Sequence, residues 1–187
     1  MKDIGILGGT FDPPHIGHLI IAEEVRERIS LEEIWFIPSY KPPHKRNAIS
    51  TVEDRLNMVS LSLESNPYFF MNPIETKQQR PSYTIDTMEE LTKQYPDVNF
   101  HFIIGADMVD YLSHWKDIDR LLELVTFVGV KRAGYTLQTA YPVKEVEVPM
   151  INISSTMIRS KIMKRRSVRY LLPDNVDTYI KEQNLYG

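Results

Sequence analysis

Cysteine is absent from this sequence of 187 residues. Its absence excludes disulfides, thiolate nucleophiles, iron–sulfur clusters and cysteine zinc sites together, and fits a reducing compartment. Also missing are a GxSxG nucleophile elbow and a phosphate loop of the GxxxxGK[ST] form. No apolar run approaches the ~18 residues of a membrane span, so no membrane partner is expected. Asp3 and a glycine pair interrupt the apolar core that a signal peptide needs, so the expected location is cytoplasmic. A strong excess of positive charge is lacking too. The net charge of −3 argues against a nucleic-acid partner, and any phosphate recognition should be local. No repeat or linker divides the chain. Its length fits one domain, 1–187, with a helical C-terminal part from about residue 155.

What is present centres on Gly8-Gly9-Thr10-Phe11-Asp12-Pro13-Pro14-His15-Ile16-Gly17-His18. A short apolar run, Ile4 to Leu7, precedes it. Ile16, Leu19, Ile20, Val25 and Ile29 follow near helical spacing. The pattern reads as strand, glycine loop and helix. Glycines let backbone N–H groups approach an anion, and prolines stiffen the entry to the helix. His15 and His18, three apart, share a face. With the helix N-terminus they make a phosphate site. The same histidines could suggest zinc, but a catalytic zinc usually needs a third protein ligand. Asp12 is available for that, yet the glycine loop and proline turn point to phosphate.

Short β-rich runs alternate with helical patterns, which predicts an α/β fold with a parallel sheet. Strands are expected at Ile4–Leu7, Glu33–Pro38, Tyr68–Met71, Asn99–Ile104, Val125–Val130 and Glu145–Val148. Helices are expected over His15–Ile29, from a Ser50-x-x-Glu53 capping box to about Glu64, from Ser82 or Thr84 to near Tyr95, over Ile118–Leu124 and from Asn175 to about Asn184. In the second of these, Leu56, Val59 and Leu63 share a face. The stretch from Ala133 to Lys144 reads as irregular. The second strand ends in Pro38-Ser39-Tyr40 rather than an acid, and the glycine spacing is not GxGxxG. Both argue against a nicotinamide-dependent dehydrogenase. Lys41-Pro42-Pro43-His44-Lys45-Arg46 must be a loop, either a solvated turn or a cationic flap that closes on a polyphosphate. His101 reads as a structural histidine. Asp107 is either a helix N-cap or a group facing a ribose or adenine. Trp115 is either core or a flat platform for a ring. Arg132 follows a strand end and reads as a phosphate contact or a surface residue. The basic run Lys161, Lys164, Arg165, Arg166 and Arg169 reads as a solvated helix end.

Gly9 to His18 resembles the GxFDPxHxGH signature of the nucleotidyltransferase superfamily. Ile153-Ser154-Ser155-Thr156-Met157-Ile158-Arg159 resembles its ISSTxIR element. Ser82 to Thr87 resembles the SYTIDT motif of the nicotinate-nucleotide adenylyltransferases, and Trp115-Lys116 after Gly105-x-Asp107 fits the same branch. The resemblance implies a Rossmann-like open parallel sheet of five or six strands, with helices on both faces and C-terminal helices beside it. It implies AMP transfer from ATP to nicotinate mononucleotide, giving deamido-NAD and pyrophosphate. Mg²⁺ would ride mainly on the ATP phosphates, with no metal ligand expected from protein side chains. A homodimer is allowed.

The resemblance also assigns residues. Gly8, Gly9, Thr10, Phe11, Gly105 and Asp107 would line the nucleotide. His15, His18 and Arg159 would be catalytic, with His18 nearest the reacting α-phosphate. Ser155, Thr156 and Arg159 would hold the β,γ-phosphates. Thr84, Trp115, Lys116 and Arg132 would hold the mononucleotide, and Lys41, His44, Lys45 and Arg46 would close on the phosphates. The chemistry agrees with this inventory. A phosphate monoester is an ionised nucleophile, so its transfer needs alignment and charge stabilisation more than a base. Adenylyl transfer to phosphopantetheine, cytidylyl transfer to another phosphate and nucleotide sensing without turnover are the alternatives.

Overall fold

Side chains alternate across a strand, so Ile4 and Ile6 reach one face of the first strand and Leu7 the other. All are buried, which makes this strand an interior one. The computed structural model describes residues 1–41, 48–78, 81–131, 134, 136–149 and 151–187. Strand β1 (Lys2–Gly9) pairs with β2 (Glu33–Pro38) and β4 (Val98–Gly105). Outward from these lie β3 (Phe69–Met71), β5 (Val125–Lys131) and β6 (Val143–Glu147). The six strands run parallel in the order β3-β2-β1-β4-β5-β6.

The helices are α1 (Ile16–Arg28), α2 (Val52–Leu63), α3 (Ile74–Gln78), α4 (Thr84–Gln94), α5 (Ala106–Asp110), α6 (Ile118–Leu124), α7 (Ser155–Met163) and α8 (Asp174–Glu182). On one face Ala22 and Val25 of α1 and Val59 and Leu63 of α2 cover Leu7, Ile34, Phe36, Ile103 and Val128. On the other, Ile85, Met88 and Leu91 of α4, Val109 of α5 and Leu121 of α6 cover Ile4, Ile6, Phe100, Phe102 and Phe127. Each such large side chain contributes about 1.5–3 kcal/mol by leaving water. A third cluster, Met58, Ile158, Val168, Leu172, Val176 and Ile180, fastens α7 and α8 to α2. This is the open sheet with helices on both faces and C-terminal helices beside it that the sequence predicts. The strand order reverses between β1 and β4, and that crevice is where such sheets bind ligands.

Several local expectations are corrected. Thr51, not Ser50, caps α2: its side chain accepts from Asp54 N–H, and Asp54 returns the bond. Ser50 is committed elsewhere. The buried stripe of α2 is Arg55, Met58, Val59, Ser62 and Leu63, with Leu56 only half-buried. Neither Ser82 nor Thr84 caps α4. Tyr83 holds that position without a side-chain bond. Asp107 is not an N-cap either, since Gly105 precedes α5. The last strand begins at Val143 rather than Glu145, because β5 offers pairing partners from Phe127 onward. His101 is structural, its Nε2 2.8 Å from Asp3 Oδ1.

Candidate active site

The chain leaves β1 through Gly8, Gly9 and Thr10, then turns at Phe11, whose φ is +51°. Left-handed backbone is costly for a side chain of this size. Packing holds it: Phe11 is buried, 5.8 Å from the Phe36 ring and edge-on to His18 at 5.0 Å. The side chain therefore points into the core while its backbone forms the loop. His15 stands just before α1, and its ring stacks on His18 at 3.7 Å. Gly17 leaves room beneath them: a Cβ there would meet the His15 ring at 3.0 Å, and the ring would have to give by a few tenths of an ångström.

The N-terminal N–H groups of α1 are largely spent within the protein. His15 N–H donates to His18 Nδ1 at 3.1 Å, Ile16 N–H to Leu171 O at 3.0 Å and His18 N–H to His15 O at 2.9 Å. Of the backbone donors expected there, those of His15, Ile16 and His18 are thus engaged within the protein. Because His18 Nδ1 accepts a bond, its neutral ring carries the proton on Nε2.

The second motif arrives from the opposite end of the sequence. Ser154 caps α7 by accepting from Met157 N–H. Ser155 Oγ donates to Pro13 O at 2.8 Å, and Arg159 Nη1 donates to Asp12 O at 2.6 Å. Arg159 Nη2 also meets Thr156 Oγ1 at 3.2 Å. The two imidazoles, the guanidinium and the α7 hydroxyls therefore converge on one loop. Among the described residues, no cluster of three or more His, Cys, Asp or Glu is placed to hold a metal ion.

Beside the loop lies a cleft of about 400 Å³ at the carboxyl ends of β1 and β4. Gly8, Gly9, Thr10, Thr84, Gly105, Trp115 and Lys116 all line it. Phe102 and Phe127 hold the Trp115 indole edge-on at 5.8 Å each, so it is both core and cleft wall. Lys116 Nζ sits 3.1 Å from Asp86 and 4.8 Å from the Tyr83 ring. Asp107 is exposed in the first turn of α5 and is not part of the lining. Lys41 is exposed, while His44, Lys45, Arg46 and Arg132 lie outside the described residues.

Residues 6–161 match the Cytidylyltransferase-like family. A protein of Oceanobacillus iheyensis named "Probable nicotinate-nucleotide adenylyltransferase" is 54% identical, over 100% of this chain and 98% of its own length. This chain belongs to the nicotinate-nucleotide adenylyltransferase family. A relative of the same name from Geobacillus thermodenitrificans is 53% identical over 100% of this chain and 87% of its own. The Plasmodium falciparum nicotinic acid mononucleotide adenylyltransferase, solved in complex with NaAD, shares the fold at a TM-score of 0.82. It is 20% identical, over 100% of this chain and 98% of its own.

The family motif spans an acid, Asp12, for which sequence reasoning found no role beyond zinc. Its carboxylate is buried and accepts from Ile49 N–H at 2.7 Å, Ser50 N–H at 3.3 Å, the Ser50 hydroxyl and the Tyr186 hydroxyl at 2.5 Å. Burial alone would raise its pKa. The Ser50, Tyr186 and Ile49 bonds outweigh that and hold it below the usual carboxylate range. Arg55 was missed as well. Its Nη1 donates to Thr10 O and Ser39 O, each at 2.8 Å, tying the loop after β1 to the end of β2. A signal existed: Arg55 keeps helical phase with Met58, Val59 and Ser62, an arginine on a buried stripe. Glu75 lines the cleft unpredicted. Burial raises its pKa despite bonds from Ser82 and Thr87.

Burial alone lowers the His15 pKa from 6.5 to about 4, so the imidazole is neutral at pH 7. Below pH 6.5 the unfolded chain binds a proton there that the folded chain refuses until about pH 4. Stability should therefore fall as pH drops through that window, by up to about 3 kcal/mol. The Asp12 contribution is lost only below its unfolded value of 3.8, outside this window. Thermal unfolding between pH 4 and 7 should show a flatter profile for His15→Gln than for the parent, and equal slopes would refute the assignment.

Proposed function

We propose that this chain transfers AMP from ATP to nicotinate mononucleotide in NAD biosynthesis, releasing pyrophosphate and forming deamido-NAD. The observation that carries this reading is the meeting of His15, His18 and Arg159 on one loop, beside a cleft walled by Thr84 and Trp115. The mononucleotide phosphate oxygen attacks the α-phosphorus in line, a new P–O bond forms, and the bond to the β-phosphate oxygen breaks. No covalent enzyme intermediate is needed. The nucleophile arrives ionised, so the residues serve to align and to stabilise charge. The His18 Nε2–H faces the α-phosphate. Thr156, Arg159 and Ser155, the last through its helix-start N–H because its hydroxyl is donated to Pro13 O, take the β,γ-phosphates, which leave as pyrophosphate. Gly105 of the cleft wall borders the adenosine, and Asp107 reaches it from the exposed first turn of α5, outside the lining.

Mg²⁺ neutralises polyphosphate charge when bound. Asp12, the carboxylate of the loop, is occupied by its donors, so among the described residues this loop leaves the ion no open carboxylate, and ATP oxygens and water would hold it. Preference for the acid over the amide is supported by α4. It begins at Thr84 with no side-chain cap, so its first N–H groups and positive dipole end suit a carboxylate in the cleft. The location proposed is cytoplasmic. Light scattering on the purified chain separates a monomer from a homodimer.

The test is pyrophosphate release with ATP and Mg²⁺, offering nicotinate mononucleotide, nicotinamide mononucleotide and phosphopantetheine separately. Fast release with the first alone supports the reading. Release with phosphopantetheine, or ATP binding without any release, overturns it. Within the reading, Trp115→Ala should raise KM for the mononucleotide about 5- to 100-fold, the worth of stacking one aromatic ring on another. KM for ATP should stay within about twofold, since the lost stacking energy concerns the other substrate. Equal changes in both would remove Trp115 from the mononucleotide site.

A further inference from the structure

The last described turn of the chain reaches the phosphate loop. Beyond α8, Leu185 N–H donates to Ile180 O at 3.0 Å, and Asn184 and Tyr186 take left-handed backbone with φ of +52° and +64°. Such conformations persist where surrounding contacts over-determine them. Here Asn175 Nδ2 donates to Leu61 O at 2.7 Å, and Val176 and Ile180 pack on Met58 and Ile158. The Tyr186 hydroxyl thereby arrives 2.5 Å from Asp12 Oδ1 and 3.2 Å from Ser50 Oγ.

We propose that Tyr186 is a positioning residue for adenylyl transfer, its hydroxyl completing the donor set of Asp12 and so fixing the loop that presents Thr10, His15 and the carbonyl bound by Arg159. The inference rests on the adenylyltransferase reading. Asp12 is held at both ends. Its carbonyl accepts from Arg159, and its carboxylate gathers the Ile49 and Ser50 amides. His15 follows three residues later. A buried carboxylate that loses one strong donor must turn toward water or another partner. Any such turn moves the Arg159 anchor and the histidines together. A misplacement of about 1 Å at reacting groups costs about 10²-fold in rate.

Tyr179 provides the comparison. Its hydroxyl also donates to a carboxylate, Asp54 at 3.0 Å, but that bond supports the cap of α2 and not Asp12. Tyr186→Phe removes one hydroxyl and keeps the ring. It should lower kcat about 5- to 50-fold, with KM for ATP and mononucleotide within about twofold. Its Tm should stay within about 3 °C of the parent, and amide exchange across residues 10–17 should quicken. Tyr179→Phe should keep kcat within about twofold. A Tyr186→Phe enzyme of near-parental kcat overturns the proposal. So does a loss matched by Tyr179→Phe, or one that tracks a fall in Tm, since either marks a hydroxyl that only stabilises. Exchange is read without turnover. If the parent chain releases no pyrophosphate, the adenylyltransferase reading falls, whereas unchanged exchange over 10–17 in Tyr186→Phe overturns the lock itself.

Discussion

His18→Ala should lower kcat for pyrophosphate release about 10²- to 10³-fold, the usual loss on removing one preorganised donor from a developing oxyanion. The ring is oriented before substrate arrives. Its Nδ1 accepts from His15 N–H, which assigns the proton to Nε2. Stacking on His15 at 3.7 Å and edge contact with Phe11 at 5.0 Å restrict its tilt. Alanine leaves the backbone of α1 intact, so Tm should change by only a few degrees, the equivalent of about 1 kcal/mol. His18→Gln keeps an N–H donor on a longer, looser stem and should fall between parent and alanine. Steady-state kinetics with both substrates saturating measure the effect. A His18→Ala enzyme with kcat near the parent's would remove His18 from the reaction.

Arg55→Met should be the most destabilising of the substitutions considered. Arg55 is 1% exposed and spans two carbonyls, the part-buried Thr10 O and the buried Ser39 O. Methionine fills much of the space but donates nothing, so both carbonyls lose their charged partner. The nearby negative charge of Asp12 also loses a compensating cation. Breaking a buried charged arrangement of this kind costs about 3–5 kcal/mol. In a domain of this size that is a fall of about 6–20 °C in Tm, read by calorimetry or circular dichroism. Arg55→Lys keeps the charge without the planar fork and should recover part of the loss. A Tm within about 2 °C of the parent for Arg55→Met would mean that Arg55 contributes little net stability.

Arg55 and Tyr186 also show where reading the sequence ends. The loop after β1 was legible as a candidate phosphate site because its signal is local: glycines, prolines and two histidines lie within one strand-to-helix turn. The α7 motif was legible for the same reason, as hydroxyls at a helix start with an arginine one turn later. Strands β1, β2, β4 and β5 announced themselves as short apolar runs. The capping residues did not. Ser50 and Thr51 are adjacent hydroxyls, each able to cap, and a carboxylate far off in sequence, Asp12, recruits Ser50 and leaves Thr51 to cap α2. Tyr186 carries no local signal, because a tyrosine near a helix end is usually just packing.

The sequence by itself therefore determined the architecture and the family, and it supplied the candidate groups for handling phosphate. Each of these depends on residue spacings within about a dozen positions. The tertiary structure decided which groups meet. It brought Arg159 to the Asp12 carbonyl, engaged the His15, Ile16 and His18 amides internally, and buried His15 into neutrality. Such outcomes depend on distances between residues far apart in the chain and on water excluded from between them. No local pattern records either quantity.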